Sequence, residues 1–99
     1  MLTKGFAQTL FHLQKVADGT VVQVVSHHSS ISRMLYLSDG DLRVRVFCET
    51  LPLPPVNSLI SLDPSSITCT GFARFSLNQF VVIQKELLLS LMTFHSLML

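Results

Sequence analysis

The sequence predicts a mainly β protein: an N-terminal helix, five short strands curled into a small OB-type barrel, and an apolar C-terminal tail of ambiguous conformation. Three observations lead there. Runs of β-branched residues with alternating faces recur at short intervals, turn signals separate them, and no helices interleave them as a parallel βαβ repeat requires. An SH3-like barrel is the rival architecture with the same ingredients.

Size and composition set the frame. The chain has 99 residues, one domain's worth, of which 48% are hydrophobic and 13% charged, and this excludes intrinsic disorder. Seven Lys plus Arg against six Asp plus Glu leave +1, which excludes a strongly basic nucleic-acid coat while permitting a local basic patch. Cys48 and Cys69 are too few for a disulfide scaffold and suit a reducing compartment as small buried apolar groups. The start of the chain lacks the charged lead, apolar stretch and small-residue cleavage site of a secretory signal.

The elements follow in order. Phe6, Leu10 and Leu13 recur at helical spacing within residues 3–16, with Thr3 as the expected N-cap. Asp18-Gly19 breaks the pattern, and TVVQVV, residues 20–25, reads as the first strand. His27-His28-Ser29-Ser30 is a polar loop before ISRMLYL, residues 31–37, the second strand. Ser38-Asp39-Gly40-Asp41 is the best hairpin signal in the chain, because Asp-Gly tolerates the positive φ of a tight turn. In the third strand Leu42, Val44, Val46 and Cys48 share one face, while Arg43, Arg45 and Phe47 share the other.

LPLPPV, residues 51–56, is a rigid connector, since its prolines remove donors from any ladder. LISL, residues 59–62, reads equally as a short strand or a helical turn. Ile67 to Phe75 alternate as a fourth strand with a bulge or bend at Gly71, Ser76–Gln79 turn the chain, and FVVIQK, residues 80–85, is the fifth. From Leu87 to Leu99 the chain carries no formal charge, but thirteen residues fall short of the ~20 that span a bilayer, so no membrane anchoring is expected.

Several strings together resemble a known family. L-T-x-G-F-A at Leu2–Ala7, V-V-Q-V-V at residues 21–25, M-L-Y-L-S-D-G at 34–40 and F-V-V-I-Q-K-E-L-L at 80–88 are similar, in order and spacing, to the N-terminal OB-fold domain of the replication protein A large subunit. The resemblance covers residues 2–88 and implies a divergent or truncated OB-fold domain over 1–88; residues 89–99 follow it as an apolar C-terminal tail, a helix or a strand extension. It implies a nuclear module of DNA replication and repair that docks acidic peptide segments of repair or replication proteins and binds single-stranded DNA weakly. The pattern departs from the family where Ser32 and Met34 stand at basic positions of the second strand, His28 at the basic end of the first, and Gln79 at a further basic site.

The candidate binding residues for nucleic acid or a partner are therefore Arg43, Arg45, Phe72 and Arg74, with Arg33 and His28 at the margin. Guanidinium groups pair phosphate or carboxylate oxygens, and an aromatic ring beside one offers a stacking platform. The plainer readings are a solvated sheet face for Arg43 and Arg45, and a Phe72 ring packed against the helix or tail. His12, His27, His28 and His95 lack metal-ligand spacing, and no nucleophile motif or phosphate loop is present, so neither a metal, a cofactor nor catalysis is expected. In the tail, Leu88, Leu91 and Met92 lie on one broad helical stripe. They suggest an alternative role: a small OB-fold assembly subunit that oligomerises through this segment, as with other replication protein A subunits.

Overall fold

The computed structural model describes residues 1–84. The elements are α1 (Phe6–Leu13), β1 (Thr20–His27), β2 (Met34–Ser38), β3 (Arg43–Cys48), β4 (Leu59–Leu62), β5 (Ile67–Gly71), β6 (Arg74–Leu77) and β7 (Val81–Gln84). The chain is mainly β with one N-terminal helix, as the pattern predicts. Its strands form one curled, half-barrel sheet in the order β5-β6-β3-β2-β1-β4-β7, seven strands where five were expected.

The two extra strands come from breaks in a single long hairpin. At its base β4 pairs antiparallel with β7, Ile60 opposite Val82 and Ser61 opposite Val81. Toward its tip β5 pairs with β6, Ile67 opposite Leu77 and Thr68 opposite Ser76. Between them Asp63 turns the first arm: its Oδ1 accepts from the Ser65 N–H at 2.8 Å, and its own N–H donates to Ser66 Oγ at 2.9 Å. The second arm yields opposite this turn, where the Asn78 N–H donates to Ser66 O at 2.7 Å. The base of the hairpin lies on β1 and its tip region lies parallel to β3, with Phe47 beside Ser76 and Cys48 beside Leu77. The two ends of the sheet are thus one continuous hairpin, and this bends the sheet into its half barrel.

The concave side holds the core. Val22, Val24, Leu35, Leu37, Val46 and Ile60 are fully buried, each such side chain stabilising the fold by about 1.5–3 kcal/mol. Helix α1 seals this core with Phe6, Ala7 and Leu10.

The helix is shorter than expected. It starts at Phe6, and Thr3 is no cap: its N–H donates to Val21 O and its Oγ1 accepts from the Val21 N–H, both at 2.9 Å, fastening the N-terminal segment to β1. Gln14, at φ 55, ends it. Leu42, expected on the inward face, precedes β3 and is 50% exposed because the Asp39 turn carries it outside the ladder. The second strand begins at Met34, three residues late, since Arg33 at φ 67 closes a turn in which the Met34 N–H donates to Ile31 O. The expected strand over residues 67–75 is the tip of the hairpin, reversing at Phe72-Ala73. LISL is a strand. The stripe of Leu88, Leu91 and Met92, and the tail over 89–99, lie outside the described residues.

Candidate functional site

Strand β3 is half buried, so its alternation turns Val44, Val46 and Cys48 inward and leaves Arg43 and Arg45 exposed. The parallel register of Phe47 with Ser76, continued two residues back, sets Arg45 level with Arg74 at the start of β6. Between them lies a hollow of about 330 Å³ floored by Met34, Phe47 and Phe75, with Thr70, Ala73 and Ser76 completing its wall. The stem of Arg74 folds back over Gly71, where an added Cβ would meet its Cδ at 3.5 Å. Phe72, next to Ala73 on the hairpin tip, does not line the hollow and is 93% exposed.

No Asp or Glu lines this hollow. Among the described residues the one ion pair is Lys4–Asp41 at 3.6 Å, so both groove guanidinium groups lack a carboxylate partner there. Two such donors around aromatic and thioether surface can pair an anionic group and hold a planar one against Phe47 or Phe72.

The other sequence candidates are elsewhere. Arg43 lines a separate hollow beside α1. Arg33 is engaged by its own chain: Nε donates to Cys48 O at 3.0 Å, Nη2 donates to Glu49 O, and the guanidinium carbon lies 5.6 Å from the Phe47 ring centre. Its positive charge therefore pins the end of β3 beside the groove. His28 serves its loop, with Nδ1 accepting from the Ser30 and Ile31 N–H groups at 3.1 and 3.0 Å while the ring stacks on Tyr36. The expected sharing of one strand face by Phe72 and Arg74 is corrected, because the chain reverses between them. Phe72 is not packed against the helix, as its exposure requires.

Sequence reasoning missed Met34, Phe47 and Thr70 as groove residues. For Phe47 the signal existed, since it shares a face with Arg45; for Thr70 only the hairpin could have supplied it. A larger cleft of about 550 Å³ runs between the Thr50–Pro55 connector and Asn78–Phe80, but no charged side chain lines it. Among the described residues no group of three or more His, Cys, Asp or Glu could hold a metal ion, and no helix is long and apolar enough to cross a membrane.

Compared with protein-family models, with curated proteins and with solved structures, the chain finds no match in any of the three.

Proposed function

We propose that the chain is a non-catalytic OB-type binding module, resembling the N-terminal domain of the replication protein A large subunit, that holds single-stranded DNA weakly in nuclear replication and repair. The strand pairing supports the OB reading. β1, β2 and β3 form a meander, β6 runs parallel to β3, and β4 returns to β1, an order compatible with a five-strand OB circuit if the broken hairpin is counted as two long strands. OB barrels take their ligands on the face of the second and third strands and on the loops joining strands one to two and four to five. The groove draws Met34 from β2, Arg45 from β3 and Arg74 from the hairpin between the fourth and fifth long strands, which supports the same reading.

One observation carries the ligand reading: Arg45 and Arg74, from distant parts of the sequence, meet around one acid-free hollow, and the neighbouring hairpin tip carries the bare ring of Phe72. Arg would pair phosphate and Phe72 would stack an unpaired base. With two phosphates neutralised on a single strand, log affinity should fall with log salt at a slope of about −1.4.

Fluorescence anisotropy of a labelled oligothymidylate, titrated with the full chain at two salt concentrations, tests this. Weak binding with that slope, lost in Arg45→Ala plus Arg74→Ala, supports it. Salt-independent binding, binding indifferent to the double substitution, or saturation of the groove by an acidic peptide with none by DNA rejects it.

A further inference from the structure

The groove holds a polar group that backbone pairing and base stacking leave unused. Ser76 alternates with the core residues Phe75 and Leu77, so it stands on the outer face of β6, yet it is only 7% exposed. The neighbouring hydroxyls are taken: Thr70 Oγ1 donates to Arg74 O at 3.3 Å, and Thr68 Oγ1 accepts from Asn78 Nδ2 at 2.6 Å. Ser76 Oγ has no partner among the described residues. Only Gln23 Nε2 is both sealed and unpartnered there, so the Ser76 hydroxyl opens onto the hollow it lines.

Three donors therefore meet in one place. Arg45 and Arg74 stand level on adjacent parallel strands, about 4.8 Å apart at the backbone, with no carboxylate in the hollow between them. Two like charges at that spacing repel, and a ligand that brings two negative charges to one point relieves the repulsion best. An internal phosphodiester brings a single charge and two free oxygens. A phosphomonoester brings about −1.5 to −2 at neutral pH and three acceptor oxygens, enough for two guanidinium forks and one hydroxyl. A diester must also carry the chain both into and out of the hollow, whereas a strand end enters once. Its first nucleotide then lies against the Met34 and Phe47 side chains of the floor.

We propose that the hollow is a strand-end site, in which Arg45, Arg74 and Ser76 hold the terminal phosphomonoester of a single DNA strand. This rests on the single-stranded-DNA reading and deepens it. A groove that only tracks the backbone is indifferent to the state of the end; this one prefers a phosphorylated end.

Fluorescence anisotropy of the full chain with labelled oligothymidylates tests it. The strands carry a 5′-phosphate, a 3′-phosphate or neither, beside an unphosphorylated strand about two nucleotides longer, which matches the phosphorylated ones in charge. One of the phosphorylated strands should bind at least about five-fold tighter than the charge-matched strand. That preference should shrink in Ser76→Ala, vanish in Arg45→Ala and persist in Arg43→Ala, because Arg43 lies beside α1. If Ser76→Ala fails to fold, the exposed Arg45→Ala carries the test. Equal affinity for the phosphorylated and charge-matched strands, or a preference that survives Arg45→Ala, overturns the proposal and leaves the strand reading standing. Binding of no strand overturns both. Saturable ¹⁵N shifts at the Arg45 and Ser76 amides with inorganic phosphate, alongside equal strand affinities, would assign the hollow to a free anion and likewise overturn it.

Discussion

The carboxylate of Asp39 caps helix α1 from 32 residues away, its Oδ2 accepting the Ala7 N–H at 3.0 Å. Gly5, the residue at the N-cap position, makes no side-chain cap, so a turn between two strands does what the local sequence does not. The other oxygen accepts the Asp41 and Leu42 N–H groups, both at 2.9 Å, closing the turn. Gly40 at φ 98 gives that turn its positive-φ step. Ser-Asp-Gly is thus a joint between helix and sheet as well as a hairpin signal.

Replacing Asp39 by Ala strips three N–H groups of their acceptor at a site 1% exposed. A loss of about 2–3 kcal/mol is expected, from the cap and the stranded donors together. Urea unfolding measures it, and a loss under about 0.5 kcal/mol, the ordinary surface value, would mean the joint carries little.

The same carboxylate sets an acid limb. Burial pushes the Asp39 pKa up, but the N–H groups of Leu42, Ala7 and Asp41 outweigh it and hold the value below the ordinary 3.8. Asp63 is also lowered, by the Ser65 hydroxyl and N–H and by the Gln79 amide. A group depressed in the folded state adds stability that is present above its unfolded pKa and disappears as pH falls through the folded value. Stability should therefore fall below about pH 4, and the fall should be shallower in Asp39→Asn. Urea midpoints taken between about pH 6 and pH 2.5 read both slopes, and identical slopes in the two chains would remove Asp39 as a cause.

Ala73 sits at φ 54 in the hairpin tip, a conformation that favours glycine. Relief of this strain outweighs the extra freedom glycine brings to the unfolded chain, so Ala73→Gly should stabilise by about 0.5–1 kcal/mol. Thermal unfolding followed by circular dichroism checks the sign. A lower Tm would show that the Ala73 methyl, which lines the groove, packs better than the backbone is strained.

What the sequence could tell follows from what periodicity can see. Arg43 to Cys48 were legible because a strand with one wet face must alternate. The reversal at Phe72-Ala73 was not: a two-residue tip leaves the period of two unbroken from Ile67 to Phe75, so a hairpin and a bent strand read alike. Asp63-Pro64-Ser65-Ser66 looks like a loop between strands, whereas it kinks one arm of a hairpin. Arg43 and Arg45 are equivalent by pattern. Only the parallel pairing of β3 with β6, a contact between distant segments, brings Arg74 to Arg45 and leaves Arg43 beside the helix.

Phe72 separates the groove's ligand chemistry from its fold. A ring 93% exposed holds almost nothing together, so Phe72→Ala should leave stability within about 0.5 kcal/mol of the parent. If the ring stacks a base, the same change should cost about 1–3 kcal/mol of affinity for oligothymidylate, roughly 5- to 150-fold. The chain has no tryptophan, so Phe72→Trp places a single indole at the tip as a reporter. Its emission should quench on DNA binding and stay quenched at a salt level where the phosphate contribution has weakened, provided DNA is raised to saturation. Unaltered affinity in Phe72→Ala, together with unquenched emission at saturation, would leave the two arginines as a plain anion site and remove the base from the reading.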